Sequence, residues 1–139
     1  MRAGCEPTSA RMTSLHFPQH RLRRLRRDEF SRRLVREHAL TSADLIYPVF
    51  VLDQDQGEQA VASMPGVNRL GRSALYAAAE RCLKLGVPVL ALFPVIDAAL
   101  KAPDGREALN PDGLVPRTVR ELKRRFPELG VMTDVALDP

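Results

Sequence analysis

Residues 87–95, VPVLALFPV, form a continuous apolar run directly after Gly86 and decide the fold class. A strand that is apolar on both sides is typical of a parallel sheet covered on both faces. The segments LIYPVFVL (45–52) and GVMTDVAL (130–137) have a similar character, although Pro48 removes one backbone donor from the first. The sequence therefore predicts three buried strands.

Two helical patterns separate these strands. The first helix is predicted to be capped by Ser73 and ended by Gly86, and the second to be capped by Asn110 or Asp112. The apolar positions at helical spacing are Leu75, Ala78, Ala79, Cys82 and Leu85 in the first pattern and Val115, Val119, Leu122 and Phe126 in the second.

The predicted order of elements is strand, helix, strand, helix, strand. Two successive βαβ units imply parallel strands with right-handed crossovers, which makes the chain an α/β protein. The polar, turn-rich stretches 53–72 and 96–113 are predicted to be connections. Doubly wound and barrel folds both begin in this way, and neither is complete with three strands. We therefore expect the chain to be the front part of a larger protein.

The composition excludes several classes of protein. Apolar residues make up 45% of the 139 residues and charged residues 27%, which is ordinary for a globular domain. No apolar run approaches the roughly 18 residues of a membrane span, and the N-terminus has no secretory signal. The two cysteines, Cys5 and Cys82, lie far apart and suggest neither a disulfide scaffold nor a zinc finger. We predict a cytoplasmic protein without a membrane partner.

Positive charge is concentrated near the N-terminus. The segment RLRRLRRDEFSRRLVR (21–36) holds eight arginines against Asp28 and Glu29, while the net charge of the whole chain is +4. We predict an extended arm over 1–28 and a short helix over 28–38. The arginines are suited to binding RNA or an acidic protein, or to self-association of the chain. The near absence of interleaved aromatic residues argues against nucleic-acid binding.

Two carboxylates mark a candidate site. Asp134, Ala136 and Asp138 alternate, so an extended strand would present all three on one face at its carboxyl end, where ligands of parallel α/β folds bind. Paired acids there can bind a hard cation, orient an amine, or act as base and acid. The alternative is that Asp134 is a loop acid and Asp138 belongs to a turn. The three lysines are not at predicted strand ends, where a nucleophilic amine would be expected.

Four segments together carry a family resemblance: residues 21–51, SMPGVNRL, ALNPDGLVPRTVRELK and TDVALDP. They resemble, in order and spacing, the N-terminal part of the porphobilinogen synthase (5-aminolaevulinate dehydratase) family. The resemblance implies a TIM (β/α)₈ barrel, of which this chain would supply about three parallel strands and two covering helices. It implies an arm over 1–28 that mediates oligomerisation and an incomplete barrel over 29–139. The implied reaction condenses two 5-aminolaevulinate molecules into porphobilinogen, with loss of two waters, in haem and other tetrapyrrole biosynthesis.

The resemblance also assigns roles to residues. It makes Asp134 the active-site acid and puts Ala136 and Asp138 where zinc-dependent members carry cysteines. Magnesium or potassium at Asp138, or no catalytic metal, is therefore expected instead of zinc. The two Schiff-base lysines would lie beyond Pro139, so we expect this chain alone to be inactive. The arm would contact a neighbouring subunit of a homo-octamer through Arg21, Arg23, Arg24, Arg26 and Arg27.

Two other functions remain open on sequence grounds. The first is a basic module that binds RNA or an acidic protein through residues 21–36, and its binding would fall steeply with salt. The second is a different parallel α/β enzyme of the aldolase type.

Overall fold

A computed structural model describes residues 17, 18 and 20–136. The chain divides between Ala39 and Leu40 into two units, which are described separately. None of the helices in the described residues combines the length and the hydropathy that a membrane span requires.

The second unit is built on one sheet with the strand order β2-β3-β1-β4-β5. Its strands are β1 (Ile46–Leu52), β2 (Glu58–Ala60), β3 (Asn68–Leu70), β4 (Val89–Val95) and β5 (Gly130–Thr133). The three predicted strands are confirmed as parallel neighbours, since β4 pairs in parallel with both β1 and β5. Their carboxyl ends therefore lie at one edge of the sheet.

A hairpin between β1 and the next helix was not predicted. β2 and β3 pair antiparallel, and β3 adds in parallel to the end of β1. The connection predicted over 53–72 is therefore wrong for these six residues. Their side chains are largely polar and pair across the strands, as in the 2.6 Å hydrogen bond from Asn68 Nδ2 to Glu58 Oε2. Such strands lack the apolar alternation by which a strand is recognised in sequence.

The helices of the chain are α1 (Arg24–Arg27), α2 (Glu29–Leu34), α3 (Arg72–Leu85) and α4 (Leu114–Arg125). The predicted N-caps of α3 and α4 are wrong, because the caps are Gly71 and Gly113. A Cβ added to Gly71 would lie 2.9 Å from the carbonyl oxygen of Gly57, so a larger residue would displace the loop. The predicted stop is confirmed: Gly86 ends α3 with φ 74°, a left-handed conformation that favours glycine.

The core lies between the sheet and the two long helices. Val49, Val51, Leu90 and Leu92 are buried on the helix-facing side of the sheet, and Leu75 and Leu122 fill the space above them. Leu85, predicted on the apolar face of α3, is instead 63% exposed because it lies in the last turn, beyond the sheet contact.

The opposite face of the sheet is apolar but uncovered within the described residues. The strand register brings Ile46 next to Val89, Phe50 next to Phe93, and Ala91 next to Met132 on this face. Ile46, Phe93 and Met132 keep 42–48% of their surface exposed. The prediction of strands buried on both faces thus holds only for the helix-covered side. Leaving such an apolar face in water is costly.

The first unit contains two short helices, so the predicted extended arm is wrong for α1. Residues 21–27 contain no glycine or proline, and arginine and leucine are good helix formers. The helix predicted over 28–38 is shorter than expected, and Phe30 and Leu34 are 75% and 83% exposed. Arg32 joins the two helices: it pairs with Glu29 at 2.7 Å and donates to the carbonyl oxygen of Arg26 at 3.0 Å. Residues 1–16 and 19 of the predicted arm lie outside the described residues.

Candidate active site

Asp134 follows β5 directly, at the edge of the sheet where the parallel strands end. It lines a cleft of about 430 Å³ together with Val135 and Ala136. The other walls are the end of β4 with Ile96, residues 107–109 of the next connection, and residues 113–116 at the start of α4. Asp134 therefore lies at the edge where the parallel strands end, although it follows β5 instead of lying within it.

The walls of the cleft are mostly apolar. Phe93 reaches it from β4, and its ring lies 6.0 Å from that of Phe50 between ring centroids. Glu107 and Asp134 are the two carboxylates lining the cleft. Among the described residues, neither has a cationic side chain within salt-bridge distance. An apolar cleft with unneutralised carboxylates suits a small organic molecule that carries an ammonium group.

Glu107 was not predicted. It is half-buried, and both of its carboxylate oxygens accept from the amide of Asn110, at 3.2 and 3.3 Å. A Cβ on Gly113 would lie 3.0 Å from Glu107 Oε1, so the carboxylate packs against the first residues of α4. Glu107 lies in a polar connection with no periodic pattern, so its position could not be predicted from spacing.

The predicted geometry at the end of β5 needs one correction. The strand ends at Thr133 and not at residue 137, so Asp134 and Ala136 are not on an extended strand. Asp138 lies outside the described residues. Backbone pairing explains the difference, because the last residue of β5 that pairs with β4 is Thr133.

The lysines take no part in the cleft. Lys84 pairs with Glu80 along α3 at 3.1 Å, and Lys123 donates to the carbonyl oxygens of Pro127 and Leu129 after α4. Lys101 is exposed in the connection after β4.

A second group of charged residues lies where β1 ends. Asp53 follows β1 directly and pairs with Arg117 of α4 at 2.8 Å. Nearby, Tyr76 of α3 donates a 2.6 Å hydrogen bond to Glu121 of α4. Burial raises the pKa of the Tyr76 hydroxyl above its usual value, and the adjacent carboxylate of Glu121 raises it further. Asp53 could have been found by the rule that identified Asp134, since it too is an acid directly after an apolar run.

The donor atoms of the cleft are oxygens. Cys82, the one cysteine among the described residues, is buried on α3 and does not line the cleft; burial raises the pKa of its thiol. Carboxylate oxygens suit magnesium and similar hard cations, whereas catalytic or structural zinc is more often bound by thiolate or imidazole. Within the described ranges, no three His, Cys, Asp or Glu side chains come together to hold a metal.

Comparison with known proteins gives one consistent result. The family model described as "Delta-aminolevulinic acid dehydratase" matches residues 19–139. The protein of that name from Bradyrhizobium diazoefficiens is 50% identical over 119 residues, which is 86% of this chain and 34% of the relative. The chloroplastic protein of that name from Selaginella martensii is 44% identical over 120 residues, or 86% of this chain and 28% of the relative.

A solved structure agrees with these matches. The delta-aminolevulinic acid dehydratase (porphobilinogen synthase) of Toxoplasma gondii, in complex with the reaction product porphobilinogen, superposes with a TM-score of 0.79 at 39% identity. The superposition covers 86% of this chain and 34% of that one. The chain thus spans about a third of the length of the relatives it matches.

Proposed function

The chain belongs to the delta-aminolevulinic acid dehydratase family, and from this premise we propose that it supplies part of a porphobilinogen synthase. That enzyme condenses two molecules of 5-aminolaevulinate to porphobilinogen with loss of two waters. In this proposal β1, β4 and β5 are three of the eight parallel strands of a (β/α)₈ barrel, and its further strands cover the apolar face around Phe93. The observation that carries the proposal is the position of Asp134, in a cleft at the carboxyl ends of these strands.

Asp134 is proposed to act on the substrate. A condensation that releases two waters requires groups that hold and move protons at the reacting atoms. The carboxylate of Asp134 is exposed to the cleft and has no cationic partner among the described residues, so it can bind a substrate amine or accept its proton. The apolar walls formed by Phe93, Ile96 and Leu109 would limit water around the bound substrate.

We propose magnesium or potassium, and not zinc, as the metal of the complete enzyme. In this proposal Asp138 is a metal ligand, while the side chain of Ala136, two residues earlier, offers no ligand atom. A hard cation bound there would supply positive charge for polarising a substrate oxygen. The support within the described residues is that the cleft offers oxygen donors and no thiolate.

The arm is proposed to make contacts between subunits of a homo-octamer. All five arginines Arg21, Arg23, Arg24, Arg26 and Arg27 are exposed, and none of them forms an ion pair with another described residue. Between them, Leu22 and Leu25 are 88% and 57% exposed. A surface of alternating cations and leucines suits an acidic protein surface with apolar pockets, which favours a protein partner over RNA. We propose a cytoplasmic location, although the Selaginella relative is named chloroplastic.

The proposed role of Asp134 is tested with the full-length enzyme that contains this chain. Asp134→Asn should lower the rate of porphobilinogen formation at least about 100-fold, the usual scale for loss of an acid–base group. The matched control is Asp104→Asn, which removes an exposed acid paired with Arg106 and should leave the rate unchanged. Circular dichroism should show that both variants keep the native fold. A folded Asp134→Asn enzyme with normal turnover would rule out the assigned role.

A further inference from the structure

The loop that follows β1 is attached to both covering helices by charged side chains. Asp53 pairs with Arg117 of α4 at 2.8 Å, and Asp55 pairs with Arg72 of α3 at 2.8 Å. Arg72 also reaches Glu121 of α4, with Nε 3.4 Å from Oε2. We call these five residues the charged clamp.

The same loop accepts hydrogen bonds from the start of α3. No side chain caps this helix. Instead, the backbone amides of Gly71, Arg72 and Ser73 donate to carbonyl oxygens of the loop, at Gly57 (3.0 Å), Gln54 (2.9 Å) and Asp55 (3.0 Å) respectively. The first amides of a helix have no partner within it, so these three bonds exist only while the loop stays in place.

Little space remains beneath the loop. Val51, Leu75 and Leu114 meet there under the charged clamp, and the enclosed cavity is only about 10 Å³, which is room for one water molecule at most. The ion pairs therefore close the end of an apolar seam between the sheet and the two helices. Displacing the loop would open this seam to solvent.

The ion pairs themselves remain accessible to ions. The exposed fraction of the side chain is 54% for Asp53 and 39% for Arg117. It is 74% for Asp55 and 41% for Arg72. Pairs this exposed are screened by salt, because the Debye length falls from about 30 Å at 0.01 M to about 3 Å at 1 M. The attachment of the loop is thus more sensitive to salt than the buried core is.

We propose that the charged clamp makes the attachment of the loop 53–57 to the two helices depend on ionic strength. At low salt it holds residues 53–57 against α3 and α4; at high salt it releases them while the sheet stays folded. The loop follows β1 and Asp134 follows β5, so both lie at the edge of the sheet where the parallel strands end. This inference depends on the described contacts and not on the proposed reaction.

The proposal is tested by hydrogen exchange of individual amides in the 139-residue chain. The amides of Gly71, Arg72 and Ser73 should be protected at about 0.01 M salt and exchange several-fold faster at about 1 M. The double variant Asp53→Asn/Asp55→Asn should raise their exchange at low salt by up to about five-fold for each lost pair and remove most of the salt dependence. The amide of Leu90 in β4, which bonds within the sheet, should respond to neither change.

The matched control is Glu80→Gln, which removes one charge from the exposed Glu80–Lys84 pair in the same helix. It should leave exchange at Gly71, Arg72 and Ser73 unchanged. The proposal is overturned if wild-type exchange at these amides does not depend on salt, or if Leu90 accelerates in parallel, which would indicate global unfolding. Because the salt dependence of the wild type is sufficient by itself, the test remains decisive even if the double variant fails to fold.

Discussion

Tyr76 of α3 and Glu121 of α4 are 45 residues apart in sequence and joined by a 2.6 Å hydrogen bond. The guanidinium of Arg125 lies 4.6 Å from the centroid of the Tyr76 ring, and the ring of Phe126 lies 6.3 Å away between centroids. This cluster is a direct side-chain link between the two helices that cover the sheet.

Removing the Tyr76 hydroxyl should therefore weaken the packing of the helices. Tyr76→Phe is expected to lower the free energy of unfolding by about 1 kcal/mol, the usual net worth of such a bond. In a double-mutant cycle with Glu121→Ala, which removes the acceptor, the coupling energy should be about 0.5–1.5 kcal/mol, measured by urea denaturation. Tyr47→Phe is the control, since Tyr47 is 44% exposed on β1; its effect should be within about 0.5 kcal/mol. A coupling energy of zero would contradict the link.

The same hydroxyl should make stability depend on alkaline pH. Burial and the nearby Glu121 raise the pKa of Tyr76 above 10.0, so the folded state holds this proton more tightly than the unfolded state does. The resulting stability is complete below the unfolded pKa and is lost as the pH rises through the folded one. Spectroscopic titration of tyrosinate in a Tyr47→Phe background isolates Tyr76, because the chain has two tyrosines. Titration of Tyr76 at or below 10.0 would contradict the assigned environment.

Two leucines on the long helices differ sharply in burial. Leu122 of α4 is fully buried, whereas Leu85 of α3 is 63% exposed. Leu122→Ala should destabilise the fold by about 2–5 kcal/mol through lost burial and an unfilled cavity. Leu85→Ala should cost less than about 1 kcal/mol. Thermal or urea unfolding measures the free energy of unfolding of both variants. Equal losses of stability would show that α4 does not pack as described.

The arm prediction concerns assembly. Replacing Arg21, Arg23, Arg24, Arg26 and Arg27 by glutamine in the full-length enzyme should shift the proposed octamer towards smaller species, and wild-type assembly should weaken at high salt. Sedimentation velocity measures both effects. Arg106→Gln serves as the control, because Arg106 is exposed and paired locally with Asp104. If the variant with all five arginines replaced instead keeps its assembly state but loses RNA binding, the arm is a nucleic-acid-binding segment.

A further prediction concerns the 139-residue chain by itself. It should form no porphobilinogen above background, because its lysines are committed elsewhere or lie outside the cleft. The resemblance assigns the Schiff-base lysines to positions beyond Pro139. A sensitive colorimetric assay on the purified chain checks this, with the full-length enzyme as the positive control. Turnover by the chain would show that distant lysines are unnecessary.

The parallel strands and the long helices could be predicted because burial imposes a pattern on their residues. Leu75 and Ala79 of α3, and Val119 and Leu122 of α4, recur at helical spacing because each packs against the core. The hairpin formed by β2 and β3 could not be predicted, as its pairing depends on backbone register and polar side chains. Helix caps were missed for a similar reason: loop carbonyls at the start of α3 perform the task that a side chain was expected to perform.

The site was predictable only in part. Asp134 was found because acids that follow apolar strands collect at one edge of a parallel sheet. Glu107 was missed because it lies in a polar connection without periodicity. The ion pairs of the charged clamp were missed because which acid meets which arginine depends on how the chain folds between them, and Asp53 and Arg117 are 64 residues apart. The role of Asp138 stays a prediction, because it lies outside the described residues.

The uncovered side of the sheet has a consequence during synthesis. Once the residues up to Thr133 have left the ribosome, Leu90 of β4 and Leu122 of α4 can be buried between the sheet and the helices, yet Phe93 and Met132 still face water. Chains are synthesised at about 5–20 residues per second, so in the proposed barrel the further strands would cover this face only seconds later. Chaperones that recognise apolar strands would find their binding surface here, on the inner side of the sheet and not on its helical side.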